Sequence, residues 1–438
     1  MTIFDVLTMI GGLCLFLFGM NQMGESLERR AGDSLRVILS KLTSNKAAGF
    51  LTGLGVTAVI QSSSATTVMV VGFVNSGLMS LRQAINVIMG ANVGTTVTAW
   101  ILSLSGIESS NIFVQLFKPT SFTPILALIG IIFYMMGGEQ KRRDTGTILL
   151  GFAVLMFGMD TMSGAVSGLR EVAWFQNMFI LFKNPILGVL AGAVLTGIIQ
   201  SSSASVGILQ ALASTGQVSF GAAIPIIMGQ NIGTCVTALL SSVGATRNAK
   251  RAAFVHLSFN VIGTVVWLTL FSIVDLAVHP VLLDDPATSF GIAVCHSIFN
   301  ILCTFLLLPM TGLLEKLANK IIREPAKKEQ VAELDERLLA TPPIALERCS
   351  VVAGEMAKIA SHGMKDALMS MTSCNKALAD SVNECEDRCD HYEDILGTYL
   401  VKLSGSLSGH DSSEAAKLLR IIGDFERISD HSKEIMKA

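Results

Sequence analysis

Apolar segments of helical length alternate with short charged loops over residues 1–312, a pattern that indicates a helical membrane protein. The first segment, residues 7–24, is long enough to cross a bilayer as a helix. The next, residues 47–78, is split by the polar tetrad Gln-Ser-Ser-Ser at 61–64. Each arm of about 14 residues reaches about 21 Å, which is short of the ~30 Å hydrocarbon core. The split therefore predicts a re-entrant helical hairpin with its polar tip near the middle of the membrane.

The same tetrad recurs at residues 200–203, at an offset of 139 residues from the first. This offset also superimposes the tripeptide FGM at 18–20 on its copy at 157–159. It superimposes VIMGANVGTTVTA (87–99) on IIMGQNIGTCVTA (226–238), with nine of thirteen positions identical. Three landmarks in one register indicate a duplication.

Each tetrad is followed by a segment of pattern G-x-N-[IV]-G-T, at residues 90–95 and 229–234. We expect these glycine-rich segments to break the helix that contains them, which in the first copy is 81–105. Together with 7–24 and a span at 119–137, the first copy then crosses the membrane three times. An odd number of crossings inverts the second copy, so the sequence predicts an inverted-topology repeat, an architecture typical of secondary transporters. Two further spans are expected at 252–275 and 288–312.

Basic residues are concentrated in the loops that this topology places on one side, together with the charged C-terminal tail. They are Arg29, Arg30, Arg36, Lys41, Lys46, Lys141, Arg142, Arg143, Arg247, Lys250 and Arg251. The opposite loops, 106–118, 161–187 and 276–287, hold only Lys118, Arg170 and Lys183. The positive-inside rule then assigns the basic side to the cytoplasm. We expect a multi-pass protein of a bacterial inner (plasma) membrane, with a retained first span and a cytoplasmic C-terminal domain.

Composition agrees with a polytopic membrane protein, since 51% of residues are hydrophobic, 15% are charged and the mean hydropathy is +0.58. A net charge of −2 provides no basic surface for nucleic acid. The nearest approach to a P-loop, Gly19–Glu25, lacks the lysine, so neither an enzyme nor an ATP-driven pump is expected. No organic cofactor is expected.

A helix broken inside the membrane exposes free N–H groups, which favour anions, and free C=O groups, which favour small cations. The tetrads and the G-x-N-[IV]-G-T segments add hydroxyl and amide oxygens without a fixed charge. Neither hairpin nor break contains a carboxylate, and the nearest acidic candidate is Asp160. Such a set of groups suits Na⁺ together with an oxyanion better than a proton relay. Arg82, at the start of one broken segment, is read as an interfacial anchor in preference to an anion contact.

The paired tetrads, each followed by G-x-N-[IV]-G-T, resemble the type II sodium-dependent phosphate cotransporters, here a bacterial-type member. The resemblance covers most of residues 1–312 and implies inward transport of inorganic phosphate with sodium ions as the coupling ions. It implies that phosphate and Na⁺ bind at Gln61, Ser62, Ser63, Ser64, Gln200, Ser201, Ser202 and Ser203, with Asn92, Thr95, Asn231, Thr234 and Thr237. One departure is Cys235, the repeat mate of Thr96, because a thiol is a poor ligand for a hard cation.

Two later spans share a spacing that puts a histidine and an asparagine on one helix face, His256 with Asn260 and His296 with Asn300. Hydrogen bonding between helices is favoured over ligand contact for these pairs.

The tail contains a charged linker (313–345) and three helical patterns near 346–372, 375–404 and 412–437. Two of these carry carboxylates four residues apart on one face: Glu386 and Asp390, then Glu426 and Asp430. The tail resembles the PhoU regulators, helical bundles whose acidic motifs bind metal clusters. That resemblance implies a metal site at these four residues and a regulatory protein partner, whereas a solvated acidic face is the alternative. PhoU proteins carry two three-helix bundles and the pattern here runs on to Ala438, so we expect a truncated bundle.

The expected domains are repeat 1 (1–144), repeat 2 with an extra span (145–312), the linker (313–345) and the PhoU-like bundle (346–438). The predicted function is sodium-coupled phosphate symport by alternating access around the two tetrads. Two alternatives stay open: a sodium-coupled carrier of another small oxyanion, and a phosphate sensor that signals through the tail.

Overall fold

The computed structural model describes residues 3–41, 45–75, 79–106, 118–136, 139–166, 184–323, 334, 336–340, 342–373, 375–407 and 410–438. Within those ranges the regular structure is helical throughout, and one isolated bridge joins Ser219 to Pro286. The prediction of an all-α polytopic protein is therefore confirmed. The charged loop positions Arg170 and Lys183, and most of the predicted linker between 324 and 341, lie outside the described residues.

The chain divides into two compact units, Met1–Val74 with Met79–Lys327, and Asn75–Leu78 with Lys328–Ala438. The first unit contains α1 (Ile3–Lys41), α2 (Lys46–Ile60), α3 (Ser63–Asn75), α4 (Leu81–Ser103), α5 (Pro119–Met136), α6 (Gln140–Val166), α7 (Pro185–Ile199), α8 (Ser202–Ala213), α9 (Phe220–Ser241), α10 (Arg247–Val278), α11 (Ser289–Leu307) and α12 (Thr311–Ile321). The second unit contains α13 (Pro342–Ser370), α14 (Lys376–Ser404) and α15 (His410–Lys437).

Six of the described helices are long and apolar enough to cross a membrane. They are α1, α4, α6, α9, α10 and α11, with apolar stretches Phe4–Arg30, Leu81–Gly106, Gln140–Val166, Phe220–Ser241, Arg247–Val278 and Ser289–Leu307. The protein is therefore a multi-pass membrane protein. The span expected at 119–137 corresponds to α5, whose described apolar stretch Ser121–Met136 is shorter than these six.

Helices α1 and α6, the first helices of the two repeats, cross through glycines that are themselves repeat mates. Gly12 faces the backbone of Gly158, where an added Cβ would lie 3.1 Å from the carbonyl oxygen. Gly19 faces Gly151, and a Cβ at Gly151 would lie 2.8 Å from the Gly19 carbonyl oxygen. The 139-residue offset makes Gly151 the repeat mate of Gly12 and Gly158 the repeat mate of Gly19. Gly12 therefore contacts the mate of Gly19, and Gly19 contacts the mate of Gly12. This reciprocal antiparallel pairing is what a two-fold relation between inverted repeats produces.

The predicted helix breaks at the G-x-N-[IV]-G-T segments are wrong, because α4 and α9 run through them without interruption. The glycines serve close packing instead. A Cβ at Gly90 would clash with the Phe50 carbonyl oxygen of α2, and one at Gly229 would clash with the Val189 carbonyl oxygen of α7. The small residues thus let each long helix lie directly against the first arm of its own hairpin, as small residues do between membrane helices.

The range 313–345, expected to be a linker, begins inside a helix. Helix α12 buries Thr311, Leu314 and Ala318 within the first unit, so that unit extends past residue 312. In the second unit, the three helices expected near 346–372, 375–404 and 412–437 are α13, α14 and α15. Cys385 and Cys389 are buried free thiols of α14.

Candidate functional site

Both tetrads form the same tight turn between two helices. Gln61 ends α2 in the left-handed conformation (φ 63°, ψ 21°), and Gln200 ends α7 in the same way (φ 58°, ψ 23°). Their backbone N–H groups donate to the Thr57 and Thr196 carbonyl oxygens at 2.8 and 2.7 Å. In each tetrad the glutamine therefore terminates one helix with an αL cap.

The first serine of each tetrad starts the next helix. Ser62 Oγ accepts a hydrogen bond from the Ala65 N–H at 3.1 Å, and Ser201 Oγ accepts one from the Ala204 N–H at 3.2 Å. These two hydroxyls act as N-caps of α3 and α8. In the first hairpin, Thr57 Oγ1 also donates to Thr66 Oγ1 at 3.0 Å and so joins the two arms.

The two turns meet at one cavity of about 480 Å³. Ser64 Oγ donates to the Gln200 carbonyl oxygen at 3.3 Å, which links the turns directly. All eight tetrad residues line the cavity, which is completed by Leu17, Met20, Asn21, Gly24, Glu25, Glu28, Ile60, Ala65 and Ile199. We refer to this space as the tetrad cavity.

The tetrad cavity presents hydrogen-bond donors suited to an anion. Helices α3 and α8 begin at its wall, so their first N–H groups have no partner within their own helices. For the side chains of Ser63, Ser202 and Ser203 the described residues provide no hydrogen-bond partner. Two helix N-termini and three available hydroxyls in one cavity form an arrangement that favours an oxyanion.

Two carboxylates of α1, Glu25 and Glu28, also line the tetrad cavity and were not predicted. They belong to it because α1 continues as a helix to Lys41, well past the predicted end of the span at residue 24. Leu17, Gly24 and Glu28 are spaced so that they lie on one face of α1. This spacing is the feature of the sequence that could have indicated Glu28 as a cavity residue. The predicted acidic candidate, Asp160, does not line the cavity in the described chain.

The five predicted site residues of the G-x-N-[IV]-G-T segments do not line the tetrad cavity in the described chain. Three of them bond to the backbone of their own helix: Thr95 Oγ1 to Ala91 O (3.0 Å), Thr234 Oγ1 to Gln230 O (3.0 Å) and Asn231 Nδ2 to Ile227 O (2.8 Å). Thr237 Oγ1 is buried with no hydrogen-bond partner among the described residues. Their role as Na⁺ or phosphate ligands stays a prediction.

Asn92, the fifth of these residues, joins two membrane helices. His256 Nε2 of α10 lies 3.1 Å from Asn92 Oδ1, and because an amide oxygen only accepts, the imidazole N–H donates. Asn260 Nδ2 donates to the His256 carbonyl oxygen at 3.0 Å and to Cys235 Sγ at 3.3 Å. The favoured interpretation of the first His–Asn pair, hydrogen bonding between helices, fits this geometry. Cys235 thus faces α10 rather than the tetrad cavity.

The second His–Asn pair makes fewer contacts. Asn300 Nδ2 donates to the His296 carbonyl oxygen of its own helix at 2.9 Å. Both ring nitrogens of His296 are buried and have no hydrogen-bond partner in the part of the chain that the structure describes.

In the second unit, Glu386, Asp390 and Asp430 place one carboxylate oxygen each within 4.8 Å of one another, so α14 and α15 bring these acids together. Lys433 Nζ donates to Glu386 Oε1 at 2.6 Å. Burial, followed by the charges of Glu386 and Asp430, raises the pKa of Asp390, and burial together with Asp430 raises the pKa of Glu426. Glu426 is therefore close to the cluster without belonging to the three-ligand group.

Comparison with known proteins gives the family. The family described as Na⁺/Pi-cotransporter matches residues 15–164 and 170–281, more than half of the chain. The chain belongs to the Na⁺/Pi-cotransporter family. The PhoU domain matches residues 353–438 in addition, so the member carries a C-terminal PhoU domain, as the resemblance implied. The family is one of transporters. No solved structure matches the chain.

Three relatives illustrate the similarity. The chain is 27% identical to "Putative inorganic phosphate export protein YjbB" of Salmonella typhimurium, over 97% of this chain and 76% of the relative. It is 31% identical to "Uncharacterized protein YqeW" of Bacillus subtilis, over 72% of this chain and 97% of the relative. It is 36% identical to human "Sodium-dependent phosphate transport protein 2B", over 33% of this chain and 23% of the relative.

Proposed function

We propose that the protein transports inorganic phosphate coupled to Na⁺, by alternating access around the two tetrads. The observation that carries the proposal is the tetrad cavity, in which two helix N-termini and the hydroxyls of Ser63, Ser202 and Ser203 converge. Phosphate oxygens accept from such donors, and the positive ends of α3 and α8 favour their charge. Membership of the Na⁺/Pi-cotransporter family supports phosphate as the anion.

The carboxylates of the same cavity give a physical reason for sodium coupling. Glu28 would repel a phosphate dianion that enters alone, and so would Glu25, whose charge is partly offset by Arg29 NH1 at 3.7 Å from its Oε2. A sodium ion held by a carboxylate and by neutral oxygens, such as the buried Gln61 Oε1, would offset this repulsion. Anion and cation would then bind tightly only together, and that mutual dependence is the basis of coupled transport.

The repeat architecture supports alternating access. Helices α1 and α6 cross at glycines that are repeat mates, as expected for two repeats related by a two-fold axis. A change in how the two repeats pack against each other can therefore open the cavity to either side of the membrane. We place the protein in a bacterial inner membrane with the PhoU domain in the cytoplasm, on the basis of the basic residues of the loops.

The site assignment is tested by serine substitutions in the two hairpins. Ser63→Ala and Ser202→Ala each remove an available hydroxyl, so the KM for phosphate uptake into proteoliposomes should rise by about tenfold or more. This is the change in affinity that corresponds to the loss of one hydrogen bond to a charged group. Ser62→Ala and Ser201→Ala remove N-caps, so they should chiefly lower thermal stability, by ~1 kcal/mol.

An unchanged KM in both Ser63→Ala and Ser202→Ala would contradict the assignment. Competition by sulfate at concentrations equal to phosphate would favour a carrier of other oxyanions. Phosphate binding without flux would favour a sensor.

A second candidate concerns direction, since the Salmonella relative, which aligns over 97% of this chain, is named as a phosphate export protein. Transport out of the cell would reduce internal phosphate when it is in excess. Preloaded proteoliposomes distinguish the two directions: export predicts release of internal phosphate that an inward Na⁺ gradient does not oppose, whereas symport predicts that the gradient opposes it.

For the PhoU domain we propose that Glu386, Asp390 and Asp430, with Glu426 nearby, hold a divalent metal ion and that the domain contacts a regulatory protein. Carboxylate oxygens from two helices within 4.8 Å of one another support a metal ion, which would relieve their repulsion.

A further inference from the structure

A second cavity, of about 590 Å³, lies in the first unit and shares no lining residue with the tetrad cavity. It is formed where α4 and α10 begin and α12 ends. The side chains that matter for its chemistry are Arg82, Asn248, Arg251, Glu315, Asn319 and Arg323. We refer to it as the arginine cavity.

The three arginines of this cavity are held differently. Arg251 is only 5% exposed and is fixed by three hydrogen bonds. Its NH1 donates to Asn248 Oδ1 at 2.7 Å, and its Nε and NH2 donate to the Ile322 carbonyl oxygen at 3.0 and 2.8 Å. Arg82 and Arg323 are exposed, and no hydrogen bond or ion pair of their guanidinium groups is found in the described ranges. Two guanidinium groups are therefore available to a ligand beside a third that is fixed.

The backbone adds to the positive potential. Helices α4 and α10 direct their N-termini towards the cavity, where the helix dipole is positive. The C-terminus of α12 would have contributed the opposite sign, but Arg251 binds the Ile322 carbonyl oxygen there and compensates it. Among the described lining residues, Glu315 is the one carboxylate, beside three arginines. The cavity thus keeps an excess of positive charge.

We propose that the arginine cavity binds a phosphate group, carried either by free inorganic phosphate or by the headgroup of an anionic lipid. Guanidinium groups match phosphate oxygens in paired hydrogen bonds, and the amides of Asn248 and Asn319 supply neutral donors. A bound phosphate group would hold the end of α12 against the starts of α4 and α10. The loop charges place this face of the first unit on the cytoplasmic side, where anionic headgroups and intracellular phosphate are both present.

The site is independent of the tetrad cavity, and the experiment keeps the two apart. The full-length protein in neutral detergent is titrated with inorganic phosphate or with short-chain phosphatidylglycerol, and the midpoint of thermal unfolding is followed. Short-chain phosphatidylcholine is the uncharged control for the lipid. The phosphate titration uses a background carrying Ser63→Ala and Ser202→Ala, which weakens binding at the tetrad cavity and keeps any remaining signal from that cavity the same in all proteins compared.

The decisive variant is Arg82→Gln with Arg323→Gln, compared with Lys316→Gln and Lys320→Gln, which remove the same charge from exposed positions of α12 outside the cavity. Because the guanidinium groups of Arg82 and Arg323 make no hydrogen bond or ion pair within the described ranges, both double variants should unfold at the wild-type midpoint without ligand. The arginine variant should bind at least one of the two ligands about tenfold more weakly, whereas the lysine variant should bind within about twofold of the starting protein.

A loss confined to the phosphate titration assigns the site to free phosphate, and a loss confined to phosphatidylglycerol assigns it to a lipid headgroup. The proposal is overturned if neither ligand raises the midpoint saturably, if the arginine variant binds both ligands normally, or if the two double variants weaken binding equally. None of these results depends on whether the tetrad cavity transports phosphate.

Discussion

At the scale of single residues, the two tetrad glutamines are unusual because they adopt a conformation that glycine adopts more readily. Gln61 and Gln200, with His279, are the described residues other than glycine that have a positive φ. A left-handed residue with a side chain costs about 1–2 kcal/mol, so a glutamine at both turns indicates that the amide side chain itself is needed. That inference fits a role at the cavity wall.

Substitutions at Gln200 should distinguish the effect of the turn's backbone conformation on stability from the effect of the amide side chain on phosphate binding. Gln200→Gly keeps the turn at no steric cost, so the unfolding midpoint should stay equal or rise, while the KM for phosphate rises because the amide is lost. Gln200→Val should lower the midpoint as well, because a β-branched residue is strained at this φ. Unfolding followed by intrinsic fluorescence and phosphate uptake measure the two effects. A Gln200→Gly protein with wild-type KM would show that the glutamine serves the backbone alone.

The sequence predicted the types of residue in the site well, but it did not predict which other residues lie beside them. The convergence of both tetrads follows from the repeat, since inverted copies bring equivalent features together. Glu25 and Glu28 were missed because apolar periodicity ends near residue 24, whereas the helix continues to Lys41 and keeps its face towards the cavity. Polar residues beyond an apolar stretch carry no periodic signal that reveals which way they point.

At the scale of helices, the long segments pack through glycines rather than break at them. A glycine-rich motif inside an apolar segment predicts either a break in the helix or a close approach of a second helix. Only the position of the neighbouring helix decides between these two outcomes. Helix α4 lies so close to α2 that Gly90 faces the Phe50 carbonyl oxygen. The peptide groups of α4 therefore remain in the helical ladder, so the expected break does not free backbone carbonyl oxygens at these glycines.

Two glycines of α2 test this packing. A Cβ at Gly53 would clash with the Val87 carbonyl oxygen of α4, whereas a Cβ at Gly55 would meet nothing within 4 Å. Gly53→Ala should therefore destabilise the protein by ~1–3 kcal/mol or more, because backbone must move to admit the methyl group. Gly55→Ala, the matched control in the same helix, should leave stability unchanged or raise it by up to ~1 kcal/mol. Equal unfolding midpoints of the two variants in detergent would contradict the close approach.

The acidic cluster of α14 and α15 should make the PhoU domain sensitive to pH and to divalent ions. The pKa of Asp390 is raised above its ordinary 3.8, mainly by burial and then by the charges of Glu386 and Asp430. A carboxyl whose pKa is raised by folding stabilises the fold while it is protonated, so this contribution is lost as the pH rises from the ordinary pKa through the raised one. Protection factors for amide exchange in α14 and α15, which correct for the pH dependence of intrinsic exchange, should therefore be larger just below that window than at neutral pH.

Divalent ions supply the second arm of this test. At neutral pH, Mg²⁺ or Mn²⁺ should slow the same exchange in the full-length protein by neutralising the cluster. Asp390→Asn should slow exchange without metal, because it removes one of the repelling charges, and should abolish the metal effect. The solvated acidic face, the alternative interpretation, predicts instead no saturable response to either ion.

At the scale of the whole molecule, duplication explains both the symmetry of the first unit and the paired walls of the tetrad cavity. One copy of the repeat supplies a turn in which a glutamine ends one helix and a serine begins the next. Its inverted copy supplies the opposite wall of the same cavity. The copies are not equal: α1 contributes Glu25 and Glu28 to the cavity, whereas Asp160 of α6 stays outside it. In the proposed function, this asymmetry would give the coupling cation a place on one side of an otherwise symmetric anion site.

The most direct test of the central claim is the dependence of phosphate flux on Na⁺ in proteoliposomes containing the full-length protein. With an inward Na⁺ gradient, labelled phosphate should accumulate above its equilibrium level, and replacing Na⁺ by K⁺ should abolish accumulation. Glu28→Gln should raise the Na⁺ concentration needed for half-maximal uptake, while Asp160→Asn, the acidic control outside the cavity, should leave it unchanged. Accumulation that persists in K⁺, or a Glu28→Gln protein with an unaltered Na⁺ dependence, would contradict coupled binding at the tetrad cavity.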